Sequence, residues 1–420
     1  MKRAIIIGAG ISGLATAWWL HKKFPNIEIT ILEKSTRVGG LMYTHLHDNF
    51  HLDLGPKGFL VKQEGKYTLK LIKDLSLEHL LIFSEATAKN RFVHCRGKTK
   101  KISPWTLCRQ GLPLAIIKDL FASRYSEDSS VRDFLSRHSS QTLIDNILSP
   151  FVTAIRAGHS DILSAHMAFP ELSRREAKYG SLIRSFLKEK PSKQQTPGYL
   201  ATLKPYFGIL IDTLARKIPA TWRFDCPAKK ILCSSSQVQV SSSSETFYAD
   251  LAIYTGPGHL LPSLIDIPGL SQVVSKTHLW DLSCITLGWN KHIKLPFGYG
   301  MLFADEPPLL GIVFNSQVFP KQSPGQTTLS LLVEKRWHEQ DAYAFSIATI
   351  GTFLGITQPP DVFSLFSPEE GLPQHRVGFL AQRNSVMKNL PKNLKILGQN
   401  FYGPGINRCT AAAYQMVASL

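Results

Sequence analysis

Gly8, Gly10 and Gly13 stand in the run Gly8-Ala9-Gly10-Ile11-Ser12-Gly13, directly after the apolar stretch Arg3 to Ile7. That spacing suits a strand, a tight turn and a helix whose N-terminus faces an anion. The first glycine permits the turn, the second lets the backbone approach a pyrophosphate, and the third lets the helix pack on the strand. Ala15 to Leu20 continue as an apolar helix, Pro25-Asn26 break it, and Ile27 to Leu32 alternate as a second strand. Glu33 closes that strand, where a carboxylate can accept hydrogen bonds from ribose hydroxyls. The unit is βαβ, and the chemistry it can do is to hold a dinucleotide.

Other residue groups carry weaker chemistry. His45, His47 and His51 alternate along a strand pair turned by Asp48-Asn49, which fits one face of an exposed hairpin better than a metal site. Cys95, Cys108, Cys226, Cys233, Cys284 and Cys409 are scattered with no CxxC pair, which suits free thiols in a reducing cytosol and no structural metal. Lys and Arg outnumber Asp and Glu by 48 to 31, a net +17 that favours anionic partners: a carboxylate-rich substrate, an acidic membrane surface or nucleic acid. The basic start and apolar run at the N-terminus imitate a signal peptide, but regularly spaced glycines interrupt the run and it leads straight into another strand. No stretch approaches the roughly 18 apolar residues of a membrane span, so the chain is expected to be soluble or surface-bound.

The elements that must position these residues follow from periodicity. Pro104 to Leu187 is helical and amphipathic, and Lys188 to Gly198 is a polar, proline-containing linker. Phe207 to Ile218 is helical. In Ile231 to Thr255, valines alternate inside a serine cluster, so a hairpin is expected there rather than a disordered linker. Cys284 to Val333 is strand-rich with Pro and Gly turns, and Leu394 to Leu420 is a strand (LKILGQN), a glycine turn and a closing helix.

Glu33-Lys34-Ser35-Thr36-Arg37-Val38-Gly39-Gly40, Asp53-Leu54-Gly55-Pro56 and Gly398 with Phe401 to Asn407 together resemble flavoproteins of the amine oxidase type. The resemblance implies non-covalent FAD, since Cys409 follows the glycine turn instead of preceding it. It places Gly8, Ala9, Gly10, Ile11, Ser12 and Gly13 at the pyrophosphate and Glu33, Lys34, Arg37, Gly39, Gly40 and Leu41 around the phosphates and sugar chains. Gly55, Pro56, Lys57 and Gly58 would lie near the isoalloxazine ring. Ala228, Gly398, Gly405, Ile406 and Asn407 complete the expected cofactor contacts.

Middle motifs narrow the likeness. Asn90-Arg91-Phe92-Val93, Pro150-Phe151 with Ala157-Gly158, Phe169-Pro170-Glu171-Leu172, Gly298 to Leu302 and Leu310 to Phe314 resemble the FAD-dependent protoporphyrinogen and coproporphyrinogen oxidases. That family removes six electrons from a porphyrinogen, with the flavin carrying the chemistry and no protein side chain required as nucleophile or strong base. The resemblance makes Arg91 a bidentate anchor for a propionate, with Leu302, Val313 and Val333 as walls of the macrocycle site. Val333 stands where many relatives carry phenylalanine, and Arg408 where an acidic residue is common. Protoporphyrinogen IX is the leading substrate and coproporphyrinogen III the alternative. An amine oxidase or desaturase, or a non-catalytic flavin-bound porphyrin carrier, are more distant readings.

The expected fold class is α/β: a Rossmann-like FAD-binding domain (1–80, 204–265 and 376–420), a mixed-sheet substrate domain (81–90, 189–203 and 266–375) and an inserted helical lobe (91–188). Besides the porphyrinogen, the expected partners are a membrane surface touched by Pro104 to Tyr125 and a second copy in a homodimer, with no nucleic acid. The expected location is cytoplasmic, peripheral on the inner face of the cell membrane.

Overall fold

The computed structural model describes residues 1–62, 65–156, 158–189 and 200–420. Most of the expected linker and Ala157 lie outside these residues.

Chain segments far apart in sequence share one wholly parallel sheet. Its order is Ala220–Arg223, Glu28–Leu32, Arg3–Ile7, Leu251–Tyr254 and Leu394–Ile396. The strands read as near-continuous apolar runs because both faces are covered. Ala4 and Ile6 point into a core with helices Ile11–Lys23, Ile209–Lys217 and Ile406–Ser419. Ile5 and Ile7 point the other way, onto Val238 and Val240 and onto Phe379 and Val386. The serine-rich segment is ordered as a three-stranded antiparallel meander, Lys230–Cys233, Val238–Ser241 and Thr246–Ala249, one strand more than a hairpin.

A second, seven-stranded mixed sheet has the order Val362–Phe366, Leu282–Trp289, Thr327–Glu334, Leu309–Val313, Gly300–Phe303, Arg91–Cys95 and Lys98–Lys101. Only the pairing of Gly300–Phe303 with Arg91–Cys95 is parallel. One face is closed by helix Glu339–Leu354, which packs Ala342 and Ile350 against Ile285, Leu331 and Ile312. Residues 91–101, expected in the helical lobe, belong to this sheet instead. Their alternation pairs them with Gly300–Phe303, and helix begins only at Ser103, whose hydroxyl caps the Thr106 amide.

The helical lobe then runs from Pro104 to Lys188. Its small apolar core, with Val131, Val152, Leu163 and Ala168, is reinforced by a buried polar network. Asp119 accepts from Ser181 Oγ (2.6 Å) and the Leu182 and Ile183 amides, and lies 2.7 Å from His138 Nδ1. Glu176 faces His138 Nε2 (3.1 Å) and accepts from Arg137 Nε (2.5 Å). Burial opposes ionisation of both carboxyls, yet these hydrogen bonds hold them below the usual carboxylate range. At the C-terminus, the expected strand LKILGQN stops at Ile396. Gln399–Tyr402 form a helical turn before the closing helix, because Gly398 takes a left-handed φ of 96° and redirects the chain.

Candidate functional site

Two helix N-termini meet at the carboxyl edge of the parallel sheet. Helix Ile11–Lys23 starts after Gly10 and helix Ile406–Ser419 after Gly405, and the two helices pack against each other. Both ends therefore bring free amides and positive dipole ends to one crevice. The glycines divide into two kinds. A Cβ on Gly13 would lie 2.0 Å from Gly8 O, so this glycine serves helix–strand packing. A Cβ on Gly10 or Gly405 would meet no protein atom within 4 Å, so these two leave a cradle that a ligand can fill. The crevice fits a pyrophosphate on that ground.

Around it the expected cofactor residues take distinct places. Glu33 is buried and accepts from the Ala9 amide (2.7 Å), the Ser35 amide (3.0 Å) and Ser35 Oγ (2.8 Å), so much of its acceptor capacity fixes the glycine loop itself. The Gly39 amide donates to Ala9 O (2.8 Å), drawing the Gly39-Gly40 turn beside Gly10. Arg37 donates to Val38 O and Gly40 O and stacks 4.6 Å over Tyr43, holding that turn from outside. Lys34 pairs with Glu370 (2.5 Å) and Glu369 (3.7 Å). Ala228 packs on the apolar cluster that includes Ile7 and Leu32, and the Cys226 amide two residues before it donates to Glu33 O. Leu41 abuts Gly55, where a Cβ would lie 2.0 Å from Leu41 O. Asn407 spends both carboxamide atoms on Thr68 (2.7 Å) and Leu60 O (2.8 Å), leaving only the Gly405 and Ile406 backbone for the crevice.

Strand register decides which residues face the adjoining cleft. Directly opposed residues share a face, so Ser364, Thr286, Ser330, Val313, Gly300 and Arg91 form one row across the seven-stranded sheet. The next row on that face is Phe366, Cys284, Leu332, Gly311, Leu302 and Val93. Arg91, Leu302 and Val313 therefore lie on one face of the sheet. Val333 does not. It is fully buried on the opposite face with Leu329 and Leu331, because a displacement of one residue along a strand reverses the face; Leu332 takes the cleft side.

Arg91 is stacked between Tyr299 (5.1 Å) and Phe151 (5.7 Å), and no carboxylate lies within 4.0 Å of its guanidinium among the described residues. Stacking on rings orients the fork and leaves its N–H edges for a carboxylate. Tyr299 and Phe151 lie in motifs visible in the sequence, but periodicity gave them no role; only the fold brings helix Ser149–Arg156 over strand Gly300–Phe303. Burial pushes the Tyr299 phenol up, against the nearby Arg91 charge.

The loop after strand Phe50–Asp53 closes the cleft. Asp53 accepts from Thr44 Oγ1 (2.7 Å), the Phe207 amide (2.9 Å) and Gln322 Nε2 (2.9 Å), joining the hairpin, helix Ile209–Lys217 and the second sheet. Burial pushes its carboxyl up, against these donors. Pro56 is half-buried in the same loop. Lys57 donates to Asp53 O and lies 3.7 Å from Cys284 Sγ. A cavity of about 90 Å³ lies between Lys57, Gly58, Tyr299, Val313, Asn315 and Phe319. Away from it, His45 stacks on His47 and His51 on Tyr206, on the exposed hairpin. Among the described residues no group of three or more His, Cys, Asp or Glu could hold a metal ion, and no helix is long and apolar enough to cross a membrane.

Known proteins resemble this chain in sequence and share its fold. The model of the family "Flavin containing amine oxidoreductase" matches residues 11–343. The coproporphyrinogen III oxidase of Staphylococcus aureus is 28% identical, with 100% of both chains covered. That of Bacillus subtilis is 25% identical over 97% of this chain and 95% of its own. The Nicotiana tabacum mitochondrial protoporphyrinogen oxidase is 28% identical over 78% of this chain and 74% of its own. Among solved structures, a protein from Exiguobacterium sp. 255-15, provisionally described as a protoporphyrinogen oxidase, superposes with a TM-score of 0.85 at 19% identity, covering 100% and 98% of the two chains. A cyclohexylamine oxidase from Brevibacterium oxydans superposes at 0.76 with 14% identity over 100% and 98%. The family match spans residues 11–343, most of the chain, and the chain belongs to the flavin-containing amine oxidoreductases, close to the protoporphyrinogen and coproporphyrinogen oxidases.

Proposed function

We propose that the protein binds FAD non-covalently in a Rossmann-like domain and oxidises a porphyrinogen to the porphyrin, with coproporphyrinogen III as the substrate. The observation that carries the reading is Arg91, stacked and without an acidic partner among the described residues, on the sheet row that bears Val313. Protoporphyrinogen IX, placed first from sequence, becomes the second reading. The full-length likeness to two coproporphyrinogen III oxidases and the net +17 charge favour the tetracarboxylate.

Bound FAD supplies the electron acceptor. The chain's residues do the rest by position. Arg91 clamps a propionate in two parallel hydrogen bonds. Leu302, Leu332 and Val313 give the macrocycle an apolar wall and exclude water. The two helix N-termini hold the pyrophosphate, and the Asp53 loop sets the distance between crevice and wall. A location in the cytoplasm with peripheral membrane contact fits the lobe, where Trp105 is 67% and Phe121 84% exposed beside Arg109 and Lys118. The test is to identify the flavin released on denaturation and to compare kcat/KM for the two porphyrinogens. A higher value with coproporphyrinogen III supports the proposal, the reverse ranking selects the second reading, and a colourless protein that turns over neither substrate overturns both.

A further inference from the structure

The loop that closes the cleft carries a cation without an acidic partner. Lys57 is half-buried, and its Nζ donates to Asp53 O and lies 3.7 Å from Cys284 Sγ. The Asp53 carboxyl is occupied by Thr44, the Phe207 amide and Gln322, and among the described residues Lys57 enters no salt bridge. An ammonium group has three N–H donors, and one carbonyl and a weakly accepting thiol leave one of them unspent.

Register locates this amine. Cys284 lies in the cleft-side row with Leu332, Gly311 and Leu302, so Lys57 reaches the sheet face that also bears Arg91. The strand of Cys284 is four strands from that of Arg91, roughly 19 Å at about 4.8 Å per strand. Between these ends lies the cavity of about 90 Å³, lined by Lys57 and by Tyr299, Val313, Val318 and Phe319. Tyr299 is also the ring on which the Arg91 guanidinium rests at 5.1 Å, so the cavity adjoins the clamp.

The volume is about three waters' share of liquid, room for a short side arm and far too little for a macrocycle. Its apolar walls suit a methylene stem, and Lys57 suits an anion at the tip. The cofactor does not supply that anion, because its pyrophosphate belongs at the two helix N-termini and an oxidised flavin ring is neutral. We propose that Lys57 is a second carboxylate anchor, taking a propionate arm from a different pyrrole than the one held by Arg91. The assignment rests on the porphyrinogen reading and deepens it. A porphyrinogen with a propionate on every pyrrole always presents a further arm once Arg91 has taken the first, whereas one with two propionates does so only in some orientations.

The experiment is anaerobic rapid mixing of the holoprotein with coproporphyrinogen III and with its tetraamide, in which neutral carboxamides replace the carboxylates. The half-saturating concentration for flavin bleaching is read for each. Lys57→Met raises it about tenfold for coproporphyrinogen III. The penalty for the tetraamide is about tenfold smaller in Lys57→Met than in wild type, because one of the two carboxylate contacts is already gone. Lys57→Gln, which still donates to Asp53 O, replaces the methionine variant if that one loses its flavin. A variant that keeps the full wild-type penalty for the tetraamide overturns the role of Lys57 alone, even if it bleaches slowly or sheds FAD. A wild type bleached by no porphyrinogen overturns the reaction, and this contact with it.

Discussion

Replacing Arg91 by alanine removes the proposed carboxylate clamp while touching little of the fold. The guanidinium has no acidic partner among the described residues, only the faces of Tyr299 and Phe151, so the loss in folding stability should stay near 1 kcal/mol. The cost falls on the substrate complex. Truncating one partner of a hydrogen-bonded charge pair costs about 2–5 kcal/mol, and Arg91 is only partly buried, which favours the lower half of that range. About 3 kcal/mol corresponds to roughly a hundredfold loss in kcat/KM. Arg91→Lys keeps the charge but loses the second parallel hydrogen bond and most of the ring stacking, so it should lose roughly tenfold. The assay is anaerobic flavin bleaching against porphyrinogen concentration, with thermal unfolding as the control for folding. If Arg91→Ala shows wild-type substrate dependence, the clamp is refuted. If lysine and alanine variants are equally impaired, charge contributes nothing and the geometry alone must be reconsidered.

Other perturbations separate neighbouring roles. Gly10→Ala should fold normally but bind FAD more weakly, whereas Gly13→Ala, whose Cβ would lie 2.0 Å from Gly8 O, should lose stability as well; flavin content and thermal midpoint distinguish them. Val333→Ala should cost about 2 kcal/mol of stability with KM unchanged, and Leu332→Ala should raise KM; the opposite pattern would reverse the face assignment. Burial pushes the His375 imidazole down to about 4, against its hydrogen bond to Asn400 O. Because the folded value lies below the ordinary one, stability is full above about pH 6.5 and falls as pH drops toward 4, by about 3 kcal/mol at most. His375→Gln should flatten that fall in a series of thermal melts. Phe121→Asp with Trp105→Asp should abolish co-flotation with anionic vesicles; flotation that survives both would place membrane contact elsewhere or nowhere.

Much of this was legible in the chain. Local patterns at Gly8 to Gly13, the Asp48-Asn49 turn and the helical periodicity after Pro104 carry their own structural instructions, and Asp48 does adopt a positive φ of 50°. The helix before Ile218 and the strands around Leu282 to Glu334 were also visible. What could not be read was set by long-range pairing. The face of Val333 depends on register with Leu309 and Ser283, distant in sequence, and a one-residue difference reverses it. Arg91 to Lys101 look like the start of the lobe until Gly300 pairs with Arg91.

The most direct test mixes purified, flavin-loaded protein with coproporphyrinogen III in the absence of oxygen and follows flavin absorbance and porphyrin fluorescence together. Bleaching with a matching rise in fluorescence is expected, faster than with protoporphyrinogen IX. A flavin that stays yellow with both substrates would contradict the proposed function.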